Sequence, residues 1–318
     1  MYAVEKGASA LRRTGAADER CRPAYSSKTV VTMIDRPSLR PVLTAQPRAG
    51  LDRLPQLRLA TVGFLLLLVL VVAQAVRGFT DSDYFWHYRA GEYIVTHHAV
   101  PHADIFTFSA YGRHWVAHEW LSEALIYSLV KLGGYGLAIV VFTLSPVLAV
   151  VLLYRLLEKE GVSARALLPV LVIASLMIAI YTTVRPQVLS WAGFAALFSA
   201  LYAYHGGRIQ RLWGLPPLFA LWATLHFSVI VGLGIFGLFA LATAGNQWLR
   251  KQPFRLGHPL LVLVLSVAAA CINPNGPRLL LYPLEYLPLQ GTILPAVAEW
   301  KSPDFHSYIF LPLLAGVI

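Results

Sequence analysis

The chain has 318 residues, 57% hydrophobic and only 13% charged, whereas soluble domains carry about a quarter charged residues. An ordinary soluble globular protein is therefore excluded, and because the apolar runs are long and continuous rather than alternating, helical membrane spans are favoured over a β-barrel. The formal charge of +10 lies mostly in an N-terminal tail and in short loops, where membrane orientation accounts for it, so no nucleic-acid partner is implied.

Residues 1–58 contain eleven Lys and Arg, several Pro and Gly, and no sustained apolar periodicity, the composition of a disordered basic tail. Its charge places it in the cytoplasm. The first apolar run begins too late for a cleaved signal peptide, and Met33 is an alternative start to Met1. Leu59 to Val76 reads as the first span, running outward. The first outer loop, 77–134, is long and chemically rich. Between Asp81 and Trp120 it holds Asp81, Asp83, Glu92, Asp104 and Glu119 and six of the ten histidines. Within it, DYFWHYRAGEYIV predicts an amphipathic helix at the interface, ended by Ala99-Val100-Pro101, and a second helix is expected over roughly Val116 to Leu132.

Further spans are expected at about Tyr135–Leu157, Ala166–Val184 and Val188–Tyr204. Leu215 to Gly245 is too long for one crossing. A single crossing would also leave Arg250, Lys251 and Arg255 outside, so two short helices meeting near His226-Phe227-Ser228 are predicted. Pro259–Ile272 runs outward again, 273–307 forms a second outer loop, and a last, truncated span begins at Tyr308. The reading for 59–318 is an all-α polytopic bundle of about seven or eight spans with a long helical first outer loop. With this topology the tail and inner loops hold 19 Lys and Arg against 7 Asp and Glu, and the outer segments 7 against 9. The asymmetry supports a multi-pass membrane protein with a cytoplasmic N-terminus.

Candidate chemistry concentrates on the outer side. Asp81 and Asp83 suit a divalent cation or a general base, and equally an Asp helix cap. His87 follows Asp83 by one helical turn, so both share a face, as a carboxylate–imidazole pair or as two ligands. His118 and Glu119, being adjacent, diverge on a helix and do not point equally into one site. Asp81, Asp83 and His118 are the metal candidates, although no HxxxH or HExxH pattern is present. Arg185, Gln187, His226 and Arg278 are further polar residues at the outer face. Arginine at such a depth suits a phosphate, or snorkels to lipid headgroups.

These residues also carry a family likeness. The early acidic residues of the first outer loop and its interfacial helices resemble the GT-C superfamily of polytopic glycosyltransferases. More narrowly, DSDYFWHYRAGEYI, VPHADIFTFSA, HWVAHEWLSEAL, RPQVLSW, LPPLFALWATLHFS, NPNGPRLLLYPLEY and EWKSPDF together resemble a family of uncharacterised bacterial integral membrane proteins of that type, over Thr80 to Phe305. The resemblance implies transfer of a sugar from a polyprenyl-phosphate-linked donor to a glycan or protein acceptor on the outer face. It implies Asp83 or Asp81 as general base, with His87 beside it, and Arg185 and Arg278 on the lipid phosphate. His118 and Glu119 complete the pocket, and a divalent cation is possible. A transporter or flippase of a lipid-linked or anionic solute, and a non-catalytic membrane scaffold, are the alternatives.

Overall fold

The computed structural model describes residues 82–289 except 254, together with Val62, Leu65, Leu66, Val69 and Ala73 of the first apolar run. The basic tail, Asp81, the later part of the second outer loop and the segment from Tyr308 lie outside the described residues. Among the described residues the protein is helical throughout, with one isolated β-bridge, between Ala103 and His114.

Helix α1, Asp83–His97, buries Tyr84, His87, Ala90, Gly91 and Ile94. These recur at helical spacing and form one face, as the amphipathic pattern predicts. His98 ends the helix in the left-handed conformation, with φ 52°. The chain then makes a short hairpin. Asp104 accepts hydrogen bonds from the amides of Phe106 (2.8 Å) and Thr107 (2.9 Å) and from the Thr107 hydroxyl, which fixes a tight turn. The return leg is held by Trp115 N–H donating to the His102 carbonyl at 2.9 Å. Phe108 and Tyr111 at the tip are exposed.

Helix α2 spans Trp120–Lys159, with non-helical dihedrals at Gly133 and Gly134. Gly134 has φ 72°, a region open to glycine at little cost. The break divides the helix into a first arm, 120–132, and a longer apolar second arm. Helices α3 (Ala164–Tyr181), α4 (Ser190–His205), α5 (Leu215–Leu225), α6 (Val229–Leu249), α7 (Gly257–Ala270) and α8 (Arg278–Leu281) follow. A 3₁₀ turn, Pro186–Leu189, leads into α4, and another, Tyr282–Leu289, follows α8.

The first arm of α2 packs on α1, and α5 packs most extensively on α7. A core of Leu197, Phe219, Trp222, Phe236 and Val262 joins α4 to α7. Trp222 lies flat in a slot where a Cβ on Gly193 or Gly232 would come within 2.8 or 2.7 Å of its ring. Val62, Leu66 and Ala73 of the first apolar run pack against Val150, Leu167, Leu171 and Ile178 of α2 and α3.

Among the described residues two helices, α2 and α6, are long and apolar enough to cross a membrane. The other apolar helices are shorter, and the 11-residue α5 covers only about 16 Å of a hydrocarbon core of about 30 Å. The all-helical class is observed; the count of seven or eight full-length spans is not reproduced among the described residues. The break at His226-Phe227-Ser228 falls where expected, but its two arms are unequal, because α6 alone has 21 residues.

Candidate functional site

Five acid and imidazole side chains converge where α1, the start of α2 and the α5–α6 junction meet. His87 comes from α1, His118 and Glu119 from the residues before α2, Glu123 from its first turn and His226 from the end of α5. All but His118 are buried, and His118 is largely covered. The backbone brings them together through specific ties. Ser122 Oγ donates to the Leu225 carbonyl at 2.7 Å, fixing α2 to the end of α5. Asn275 Nδ2 donates to the Ala117 carbonyl at 3.0 Å, and the Tyr282 ring lies 5.0 Å from that of His118, so the segment after α7 packs beside residues 117 and 118.

Glu119 is the hub. His226 Nδ1 accepts from the Ser228 amide at 3.1 Å, which leaves its Nε2 as the donor to Glu119 Oε1 at 3.0 Å. His118 donates from Nδ1 to the Val116 carbonyl at 2.9 Å and sets Nε2 3.5 Å from the same carboxylate oxygen. Burial alone would push the Glu119 carboxyl up; the two imidazoles outweigh it and hold the group well below the usual carboxylate range. Burial likewise disfavours a charged His118, but Glu119 and the Val116 carbonyl win and its basicity is raised.

On the other side of Glu119, His87 Nδ1 stands 3.7 Å from Glu119 Oε2 and 3.4 Å from Glu123 Oε1. The second oxygen of Glu123 is buried and has no hydrogen-bond partner. His87, Glu119 and Glu123 each offer a donor atom within 4.8 Å of the others, so this buried group can hold a metal ion. Of the metal candidates read from the sequence, Asp81 lies outside the described residues, and the Asp83 carboxylate forms an ion pair with Arg185. His118 borders the group through Glu119.

Asp83 and His87 thus share a helix but take different partners. Ser82, not Asp83, is the capping residue of α1, and it makes no side-chain cap hydrogen bond. Arg185, just before the 3₁₀ turn, ties that turn to the start of α1, and its guanidinium is mostly covered while Asp83 is about half-exposed. Gln187 is half-buried within the turn. Arg278 is exposed and paired through Nε and Nη2 with Glu285 Oε1 at 3.2 and 3.0 Å. Glu123 escaped the sequence reading. Its signal was the spacing to Glu119, one helical turn away in HEWLSE, which places two carboxylates on one side of the helix.

Compared with protein-family models, curated proteins and solved structures, the chain matches none.

Proposed function

We propose that this chain is a GT-C-like glycosyltransferase in a bacterial inner membrane, a polytopic bundle of about seven or eight spans with its N-terminal tail in the cytoplasm. It transfers a sugar from a polyprenyl-phosphate-linked donor to a glycan or protein acceptor on the outer face. The observation that carries the reading is the buried cluster around Glu119, one helical turn from a half-exposed carboxylate held by an arginine. Burying two carboxylates among imidazoles costs several kcal/mol before pairing is counted, and a scaffold gains nothing from it. Perturbed acid and base groups of this kind mark functional sites.

In this reading Asp83, ion-paired with Arg185, accepts the proton of the acceptor hydroxyl. The acceptor oxygen bonds to the anomeric carbon as that carbon's bond to the phosphate oxygen breaks. The electron pair leaves with the polyprenyl phosphate, whose charge Arg185 shares. An apolar cavity of about 360 Å³ between α2, α3, α4 and α6, lined by Leu153, Met177, Trp191, Phe194, Phe198 and Ile235, suits the prenyl chain. Trp191 lies on the first turn of α4, close in sequence to Arg185.

One observation favours transport instead. The chain is extended at His226, with φ −164° and ψ 142°, between two apolar helices, and the residue at the break pairs with Glu119. Interrupted helices with ionisable groups at the break are a transporter feature.

The test is a transfer assay with membranes bearing the full chain and radiolabelled polyprenyl-phosphate sugars. Labelled product is expected in wild type and a loss of about 10²–10⁴-fold in Asp83→Asn at equal expression. Product undiminished in Asp83→Asn removes the general-base role. Solute movement without any covalent product establishes the transporter.

A further inference from the structure

We infer that His87, Glu119 and Glu123 form a binding site for one divalent transition-metal ion of the zinc or manganese class, clamping α1 to the first arm of α2. The distances point to it first. An N–H···O hydrogen bond runs at 2.7–3.2 Å, but His87 Nδ1 lies 3.4 Å from Glu123 Oε1 and 3.7 Å from Glu119 Oε2. Both are too long for good hydrogen bonds. Donors about 2.0–2.2 Å from a shared ion in tetrahedral geometry lie about 3.3–3.6 Å apart; His87 stands close to that spacing from both carboxylates, and all three donors lie within 4.8 Å of one another.

The unmet valence is a second, independent observation. Glu123 is 2% exposed, and its Oε2 is buried with no hydrogen-bond partner. An orphaned buried carboxylate oxygen is costly, and a cation bound beside it removes that cost. The outer shell is in place as well. The Ser228 amide fixes His226, and His226 occupies Glu119 Oε1 at 3.0 Å, orienting the carboxylate so that Oε2 faces His87. Metal-ligating carboxylates are usually held in this way. Two carboxylates and one imidazole select a borderline ion rather than calcium or magnesium, which take oxygen ligands almost alone.

The site shares Glu119 with the cluster on which the proposed function rests, but metal content is read without donor or acceptor, so either proposal can fail alone. The experiment uses the full chain in detergent, stripped with a chelator and then given Zn²⁺, Mn²⁺ or Mg²⁺ alone. Metal retained after desalting and the thermal midpoint are recorded. Wild type is expected to retain about one Zn²⁺ or Mn²⁺ per chain and to melt higher with it, and Mg²⁺ to do neither. His87→Gln and Glu123→Gln are expected to retain less than about a tenth of that metal, while a control lacking the exposed His102 and His114 retains it.

Glu123→Gln also separates a metal ligand from a merely structural residue. Without metal it should melt at or above wild type, because the orphaned carboxylate is gone; with zinc, wild type should melt higher. Three results overturn the site: equal metal retention in Glu123→Gln, no retention by folded wild type, or Glu123→Gln melting lower with and without metal.

Discussion

Gly91→Ala tests whether the site depends on the close approach of two helices. A Cβ at Gly91 would lie 2.0 Å from the Glu123 carbonyl oxygen, 2.6 Å from its carbonyl carbon and 3.0 Å from Tyr127 Cβ. An ordinary C···O contact needs about 3.3 Å, so α1 must retreat locally by more than about an ångström. The obstacle is helix backbone and cannot swing aside. Overpacking of this kind costs about 1–3 kcal/mol, while Gly-to-Ala in a helix returns up to about 1 kcal/mol, so a net loss of about 1–2 kcal/mol is expected. His87 is one turn from Gly91 on the same face and must move with it, lengthening its 3.4 Å approach to Glu123. The assay is the thermal midpoint in detergent, with zinc retention read in parallel. Gly237→Ala is the control, a helical position on α6 with nothing within 4 Å of the added methyl, where stability should be unchanged or slightly raised. If the two variants melt alike and retain zinc alike, α1 does not seat on α2 as described, and the geometry argued for His87 and Glu123 fails with it.

Two further outcomes follow from the packing and the loop. Trp222 is 2% exposed, stacks on Phe219 and shares its Nε1–H with Ser190 Oγ and Ser228 Oγ at 3.2 and 3.1 Å; Trp222→Ala should cost about 3–5 kcal/mol by thermal denaturation, and a loss below that of Trp222→Phe would refute the slot. The Asp104 carboxyl is held below its usual range, chiefly by the Thr107 hydroxyl and then by the Thr107 and Phe106 amides, against burial. A depressed folded value gives stability that is fully present above the unfolded value of about 3.9 and is lost as pH falls through the folded one. Hydrogen exchange of the Phe106 and Thr107 amides should therefore be slower in wild type than in Asp104→Asn at neutral pH, the difference closing below about pH 4. An equal difference at every pH would mean that the charge contributes nothing to the turn.

The sequence by itself determined where helices form and where they stop. Apolar length and charge asymmetry placed α2 to α7 to within a few residues, and Ala99-Val100-Pro101 and His226-Phe227-Ser228 marked two of the breaks, because these are properties of local chain chemistry. The same reading drew attention to His87, His118, Glu119 and His226, and the resemblance put His87, His118 and Glu119 in one pocket. It did not say which of them pair. Spacing shows which residues share a helix face but not what that face meets, so Asp83 and His87 were legible as a pair although the fold gives one Arg185 and the other Glu119 and Glu123. Those partners lie far apart in sequence, and only packing decides them. Gly91 lets α1 reach the α2 backbone, Ser122 anchors α2 to the end of α5, and the break at His226 turns an imidazole toward Glu119. The unequal lengths of α5 and α6 likewise belong to tertiary structure, since composition reports how much of the chain is apolar but not where a helix must end to seat Trp222 between two glycines.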